Sequence, residues 1–383
     1  MIDEELVSKS FPKSNRIYLN NASSSLIPLS TIKAMTDFTI RYNELGPDSQ
    51  DLASLVSMKS NELRGTISKL VNCRPEEVIL TSSTTEGINN VANGMSFPKD
   101  SNIIIRGTTH EHHANYYPWL RLGSRVELRS LSHDTNGFFE ISELEKKLDR
   151  NTKLVAISHG LYNTGAILPA SDIGKILSEK GVPFFLDTAQ TVGCTTKFDF
   201  ARSGADFAAF NGYKWLCGPM GIGVFICKKD SASILEPMNL AGESAMTYDG
   251  SKLAYKDIPD KFQGGFRNFA AIVGLQTSLS FLTGVGITNI REKIISLANL
   301  LREELAKIPD VTLYGPTNQD KRTSIVSFTV GKKSPQELVD MLERQGIVLA
   351  IREISEQKIM RASPHFFNTD DEILKLVDWL KKL

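Results

Sequence analysis

The 383 residues predict an α/β fold: a mostly parallel, seven-stranded sheet sandwiched by helices, followed by a smaller α+β domain. Three observations carry this. Seven short runs rich in Ile, Val and Phe read as strands. Segments of helical spacing separate many of them. After about residue 280 the pattern changes, which places a large domain at 16–280 and a small one at 281–383 together with 1–15.

Taken in order, the strand candidates are RIYLN (16–20), EVILTS (77–82), NIIIRG (102–107), KLVAISH (153–159), PFFLDT (183–188), FAAFN (207–211) and GVFICK (223–228). Helical spacing is found in PLSTIKAMTDFTIRYNEL, TTEGINNVANGM, ISELEKKLDR and ASDIGKILSEKG. The stretch 243–265 is polar and glycine-containing and reads as a long loop, whose first part could serve as a lid or simply be solvated surface. A long helix is expected over 287–308. IVSFTV, a helix at SPQELVDMLERQG, two short strands around IVLAIRE and RASPHFF, and a final helix at TDDEILKLVDWLKKL complete the chain.

Composition narrows the partners. Forty-four Lys and Arg balance 44 Asp and Glu, which argues against a nucleic-acid or membrane-surface binder. No run approaches the ~20 apolar residues of a membrane span. The start, MIDEELVSKSFPKSN, lacks a basic region followed by an apolar one. Cys73, Cys194, Cys217 and Cys227 show no CxxC spacing and form no disulfide framework. A reducing cytoplasm is the expected setting, with small molecules or a second copy of the chain as partners.

The chemistry begins at Lys214, one charged side chain in the apolar, glycine-punctuated run AFNGYKWLCGPMGIGVFI. Desolvation lowers an amine's pKa and suits it to Schiff-base formation, although a lysine can also lay its stem in a core and keep its head in water. Asp187 ends the strand in PFFLDTAQ; it could cap a helix or hold a proton on a pyridine nitrogen. Gln190 could bond a ring hydroxyl. In ILTSSTTEGINNV, Ser83 and Glu86 form a capping box, and the same helix start is an anion site. Three histidines, His110, His112 and His113, follow NIIIRG. They suit either a metal or a planar ring, but no carboxylate or cysteine cluster accompanies them. Asn163, after another strand, is a turn residue or a polar contact. In an open α/β sheet, loops after different strands gather one site.

Together, YLNNAS, TSSTTEGIN, EHHANYYPW, SHGLYNTGAILP, FLDTAQ, GYKWLCGPMGIG and MRASPHFFNTDDE resemble the class V, fold-type I pyridoxal-phosphate enzymes, the group of cysteine desulfurases, selenocysteine lyases and isopenicillin-epimerase-like proteins. The resemblance covers nearly the whole chain. It implies pyridoxal 5′-phosphate as cofactor, a homodimer and a small α-amino acid substrate. Lys214 matches the Schiff-base lysine, Asp187 the pyridinium partner, Gln190 the contact to the ring hydroxyl and His112 the ring-stacking histidine. Thr84 and Thr85 match the phosphate-binding helix start. Asn163 matches a residue near the ring hydroxyl and the substrate carboxylate, and Arg361 the arginine that grips that carboxylate.

Three departures qualify the match. Desulfurases of this kind carry a persulfide-forming cysteine between the last two strands, whereas IVLAIREISEQKIMRAS is short and has none. Asn211 and Tyr213 stand where Ser and His are usual, and both can still bond a phosphate. Gly265 is followed by Phe266, Arg267 and Asn268 where a partner-subunit Gly-Thr is usual, so Arg267 or Asn268 is expected to supply that contact. The reading that follows is C–S or C–Se cleavage of cysteine or a derivative. Transamination and epimerisation share its chemistry, and a catalytically silent cofactor-binding protein stands as the alternative of another class. No sulfur acceptor is legible.

Overall fold

The computed structural model describes residues 2–107, 110–194, 198–265 and 267–382. Seven strands form the central sheet: β1 (Val78–Thr81), β2 (Asn102–Ile105), β3 (Glu127–Ser130), β4 (Thr152–Ser158), β5 (Phe184–Asp187), β6 (Phe207–Asn211) and β7 (Gly223–Cys227). Their spatial order is β1-β7-β6-β5-β4-β2-β3. The run from β6 to β3 pairs in parallel, and β7 runs antiparallel to both of its neighbours, β6 and β1. Every residue of β1, β2, β5, β6 and β7 is buried, as a sheet covered on both faces requires.

The strand count matches the expectation, but one member differs. Of RIYLN, only Ile17–Tyr18 is a strand, and it pairs with Ile347–Val348 in the C-terminal part. The seventh strand of the sheet is β3, read from the sequence as no element. It is an edge strand of sequence ELRS, partly exposed, whose Arg129 pairs with Glu127 and Asp149 at 2.8 Å each. A charged edge discourages further pairing, and it leaves no apolar run to read.

Two helices also carry little pattern. Gln50–Val71 buries only a thin stripe that includes Leu52, Leu63, Ile67 and Val71. Phe269–Val285 is apolar all round and buries Ala271, Ile272, Leu275, Leu279 and Leu282 while packing against Leu29–Leu45 and Gln50–Val71; a helix apolar on every side is a buried one. Among the described residues, no single helix is long and apolar enough to cross a membrane.

The C-terminal sheet comprises β8 (Val311–Tyr314), β9 (Val326–Val330), β10 (Ala350–Ile354) and β11 (Gln357–Ala362), in the order β8-β9-β11-β10, antiparallel throughout. Its core joins Phe328, Met360, Leu301 and Leu376 with Leu19 from near the N-terminus. Residues 1–15, assigned from sequence to this part, instead send Val7 and Phe11 into the large core. The stretch 243–265 contains a hairpin, Ala245–Tyr248 with Leu253–Tyr255, that exposes Met246 and Tyr248.

Candidate active site

A cleft opens at the carboxyl ends of β4, β5 and β6. Its walls include Thr84, Thr85, His112, Ser158, Tyr162, Asp187, Gln190, Asn211, Tyr213 and Lys214. The sheet topology explains the convergence. Parallel strands deliver their following loops to one edge, and the reversal into β7 returns the Lys214 loop along that same edge.

Two close approaches shape this loop. The Gly218 amide donates to the Gly212 carbonyl at 2.8 Å, and a Cβ on Gly218 would stand 2.9 Å from that oxygen. Gly223, at the start of β7, lies under the turn that begins the Thr84–Gly94 helix, where a Cβ would meet the Ser83 backbone at 2.6 Å. Glycine at both points lets lysine loop and helix start crowd together.

At the helix start, Ser83 Oγ accepts from the Glu86 amide at 3.2 Å. The Glu86 carboxylate does not close the expected box on Ser83; it accepts from the Ser82 amide and hydroxyl, each at 2.7 Å. The first-turn N–H groups of Thr84 and Thr85 have no intrahelical acceptor, and both residues line the cleft. Asn211 Nδ2 donates to Thr84 Oγ1 at 3.1 Å, while its Oδ1 is buried without a partner.

Lys214 is half-buried. Burial lowers its ammonium to about 8; Asp187 opposes the shift, and Arg361 and Arg352 add to it. Asp187 is 6% exposed. Burial raises its carboxyl to about 6, against the Ala189 amide that donates to it at 2.9 Å and against Lys214. The site thus holds an amine that is easily neutralised and a carboxylate short of hydrogen bonds. His112 Nδ1 accepts from the Ala114 amide at 3.2 Å, and its ring meets Tyr162 edge-on with centroids 5.2 Å apart. His112 keeps an exposed edge; partial desolvation, then Lys214, His113, Arg352 and Arg361, lower its pKa, and with Nδ1 accepting, the neutral ring carries its proton on Nε2.

Other predicted residues lie differently. Gln190 is in the wall, with its amide donating to the Ala22 carbonyl at 2.9 Å and accepting from the Trp215 indole at 3.0 Å. Asn163 is fully buried behind the wall, near His110 Nδ1 and donating to the Glu353 carbonyl at 2.9 Å. Its neighbour Tyr162 faces the cleft instead. Arg361, 1% exposed, donates to the Tyr162 carbonyl at 2.7 Å from just behind that wall. Arg267 sits apart, in a hollow with Arg64, Glu243 and Asp260, its Nε and Nη1 buried without partners. The three clustered histidines do not converge: His110 packs on His133, His113 stacks on Tyr117, and no metal-binding group of three ligands occurs among the described residues. The sequence reading missed Tyr162 and Arg352.

A family model for aminotransferase class-V matches residues 17–376. The chain is a member of the class V aminotransferase family. It is 30% identical to a probable cysteine desulfurase of Methanothermobacter thermautotrophicus over 96% of this chain and 95% of that protein. A cysteine desulfurase of an Enterobacter species is also 30% identical, over 96% and 93%. The solved apo structure of the cysteine desulfurase of Thermococcus onnurineus NA1 superposes with a TM-score of 0.91 at 27% identity, covering 100% of this chain and 98% of that one. A cystine C-S lyase shares the fold, with a TM-score of 0.87 at 24% identity over 97% and 98%.

Class V enzymes depend on pyridoxal phosphate, and the cleft of this member fits that group. A free helix start backed by two threonines suits a phosphate, the depressed Lys214 amine suits an aldehyde, and the under-bonded Asp187 suits a protonated ring nitrogen.

The family's persulfide-bearing loop has no counterpart. Ser355 and Glu356 alone join β10 to β11, with φ of 47° and 70°, the left-handed pair of a two-residue hairpin. None of the four cysteines lines the cleft, and none is in a disulfide. Burial raises the thiols of Cys73 and Cys217 to about 12 and pushes Cys227 up as well. Cys217 lies 3.6 Å from both Ser25 Oγ and His365 Nε2, sealed in the core.

Proposed function

We propose that this class V enzyme cleaves the C–S bond of cysteine or a cysteine derivative and either releases the sulfur as sulfide or passes it directly to a small-molecule thiol, with no sulfur carried on the chain. The two-residue Ser355–Glu356 hairpin carries the second half of this reading, because it leaves no arm on which a cysteine could receive sulfur. The family and its cysteine desulfurase relatives support the first half.

Pyridoxal phosphate, when bound, supplies an electron sink for charge at the substrate's Cα. Lys214 removes the Cα proton through Nζ, a base suited to near-neutral pH because burial has lowered its pKa. Asp187 keeps a proton on the ring nitrogen. Neutral His112 covers the ring and offers its Nε2–H. Thr84, Thr85, Asn211 and Tyr213 hold the phosphate, Gln190 and Asn163 brace the wall beside the ring, and Arg361 takes the substrate's α-carboxylate. We place the chain in a homodimer, in which Arg267 of one copy reaches the phosphate of the other; its two unpartnered N–H groups support this. Four cysteines outside any disulfide suit a reducing cytoplasm.

Arg267→Ala is expected to weaken cofactor affinity by about tenfold, the loss of roughly one charge-assisted hydrogen bond. Cofactor titration followed by absorbance checks this, and an unchanged affinity removes Arg267 from the site.

Incubation with L-cysteine tests the reaction. Pyruvate with sulfide marks elimination, and alanine marks sulfur transfer to an added thiol. In both cases intact-protein mass spectrometry is expected to show no added sulfur on the chain. Absence of both products, or a sulfur adduct on Cys217, overturns the reading.

A further inference from the structure

Behind the cleft wall, an ion pair takes every polar group of one serine. Ser158 ends β4 and lines the cleft, and its register partner on β5 is Asp187. The Ser158 amide donates to Glu111 Oε1 at 3.0 Å, and its hydroxyl donates to Glu111 Oε2 at 2.6 Å. Its carbonyl accepts from Arg106 Nη2 at 2.8 Å. Arg106 directly follows β2, and the same Nη2 lies 3.5 Å from Glu111 Oε1. Glu111 Oε2 accepts a further bond from Asn115 Nδ2 at 2.9 Å, and Asn115 Oδ1 accepts from the Trp119 indole at 3.1 Å.

Both charged side chains are 0% exposed. Such a pair is a weak source of stability, because the desolvation of two ions offsets their attraction. Apolar residues of similar size would hold β2 to β4 as well, so the charges need another reason. Their surroundings give one. Glu111 immediately precedes His112, so the clamp on Ser158 also anchors the loop that brings His112 to the cleft. Asp187 feels both members of the pair. After burial, the Ala189 amide and Lys214, the groups that act on it are Glu111, which raises its proton affinity, and Arg106, which lowers it. Tyr213 faces the same carboxylate as a phenol that burial, then Asp187, keeps protonated. Asp187, Glu111 and Arg106 together carry one negative charge, and a protonated ring nitrogen supplies the matching positive one.

We infer that Glu111 is a positioning residue for the cofactor's pyridine ring: its buried carboxylate stands behind Asp187 and helps to hold the proton on the ring nitrogen, while Arg106 limits that pull. Neither residue touches the ring. Glu111 acts by its charge and by fixing Ser158, and with it the end of β4 against which Asp187 is paired. The inference rests on the reading of Asp187 as the ring-nitrogen partner. Its signature is a pair of opposite signs. Removing the negative charge weakens a nearby cation, and removing the positive charge strengthens it.

The test loads the apoprotein with 4-deoxypyridoxine 5′-phosphate. This analogue has no aldehyde for Lys214 to bond, and its near-ultraviolet band reports protonation of the ring nitrogen. The titration midpoint of that band is expected to fall by about one pH unit in Glu111→Gln, the effect of one nearby charge. Glu111→Asp keeps the charge, loosens the clamp and leaves the midpoint near the wild-type value. Arg106→Gln moves the midpoint upward, and Arg106→Lys leaves it in place. Melting temperature and analogue affinity verify that each variant is folded and loaded. Where Glu111→Gln does not fold, Arg106→Gln against Arg106→Lys decides the sign alone.

Unchanged midpoints in Glu111→Gln and Arg106→Gln overturn the inference. So do shifts of the same sign in both, since a merely structural pair would loosen the site alike from either side. Asp187→Asn is the control. If it lowers the midpoint while the Glu111 and Arg106 variants do not move it, the Asp187 reading stands and the inference fails. If Asp187→Asn leaves the midpoint unchanged, the Asp187 reading fails and the inference falls with it.

Discussion

Replacing Lys214 with methionine abolishes turnover and stabilises the apoprotein. Loss of a proton-transferring group at the reacting carbon lowers the rate on the order of 10⁴-fold. Methionine keeps the apolar stem and removes only the amine, so packing around Gly212 and Gly218 is preserved. The stability gain follows from the depressed pKa. The ordinary lysine value is 10.5, and burial brings the folded value to about 8. Below pH 8 the amine is protonated in both states, and the folded state carries the full penalty of a desolvated ammonium. As pH rises from 8 to 10.5 the folded state is already neutral while the unfolded chain still binds its proton, and the penalty disappears. At ~1.4 kcal/mol per pKa unit, the ceiling is about 3 kcal/mol. Thermal melts of wild-type and Lys214→Met apoprotein at pH 7 and pH 10.5 check the sign: the variant melts higher at pH 7, and the gap closes at pH 10.5. A variant that melts lower at pH 7 would show that the ammonium is well solvated or paired after all.

The site divides into what one strand can announce and what only tertiary contact can. Lys214 and Asp187 were legible because an ionisable group inside or at the end of an apolar strand is unusual enough to need a reason. The Thr84–Gly94 helix start was legible from its own capping residues. Tyr162 was not: choosing between Tyr162 and Asn163 depends on which side of the Ser158–Asn163 turn faces the cleft, and that is set by the Asn163 contact to Glu353, 190 residues away. Arg352 was illegible for the same reason. Its place beside Arg361 needs the β10–β11 register and a shared acceptor, Ser23 Oγ. In the fold, the apolar strands β1, β2, β4, β5, β6 and β7 were found by composition. The charged edge strand β3 and the uniformly apolar helix Phe269–Val285 escaped because neither shows periodicity: one has too few apolar residues and the other too many.

Asp187→Asn separates charge from shape at the same site. Asparagine keeps the side-chain size and an oxygen to accept the Ala189 amide, so the end of β5 is undisturbed. It cannot hold a proton on a ring nitrogen, because it carries no negative charge to stabilise one. Turnover is expected to fall on the order of 10³-fold, the range found when one preorganised electrostatic contact is removed from a buried site. Stability moves the other way, with a pH dependence opposite to that of Lys214. The folded carboxyl titrates near 6 against an ordinary value of 3.8. Below pH 3.8 it is protonated in both states and costs nothing. Between 3.8 and 6 the folded state holds a proton that the unfolded chain has released, so the penalty grows with pH and is complete above 6. Apo Asp187→Asn is therefore expected to gain up to about 3 kcal/mol at pH 7 and almost nothing at pH 4. Together the two residues destabilise the empty site most between pH 6 and 8, where the enzyme needs a poised amine and an ionised carboxylate. A cofactor that bonds both groups relieves both penalties, so the holoenzyme should not share the gains. If Asp187→Asn raises the melting temperature of apoprotein and holoenzyme equally at pH 7, the carboxylate does not meet the ring, and the assignment of Asp187 fails.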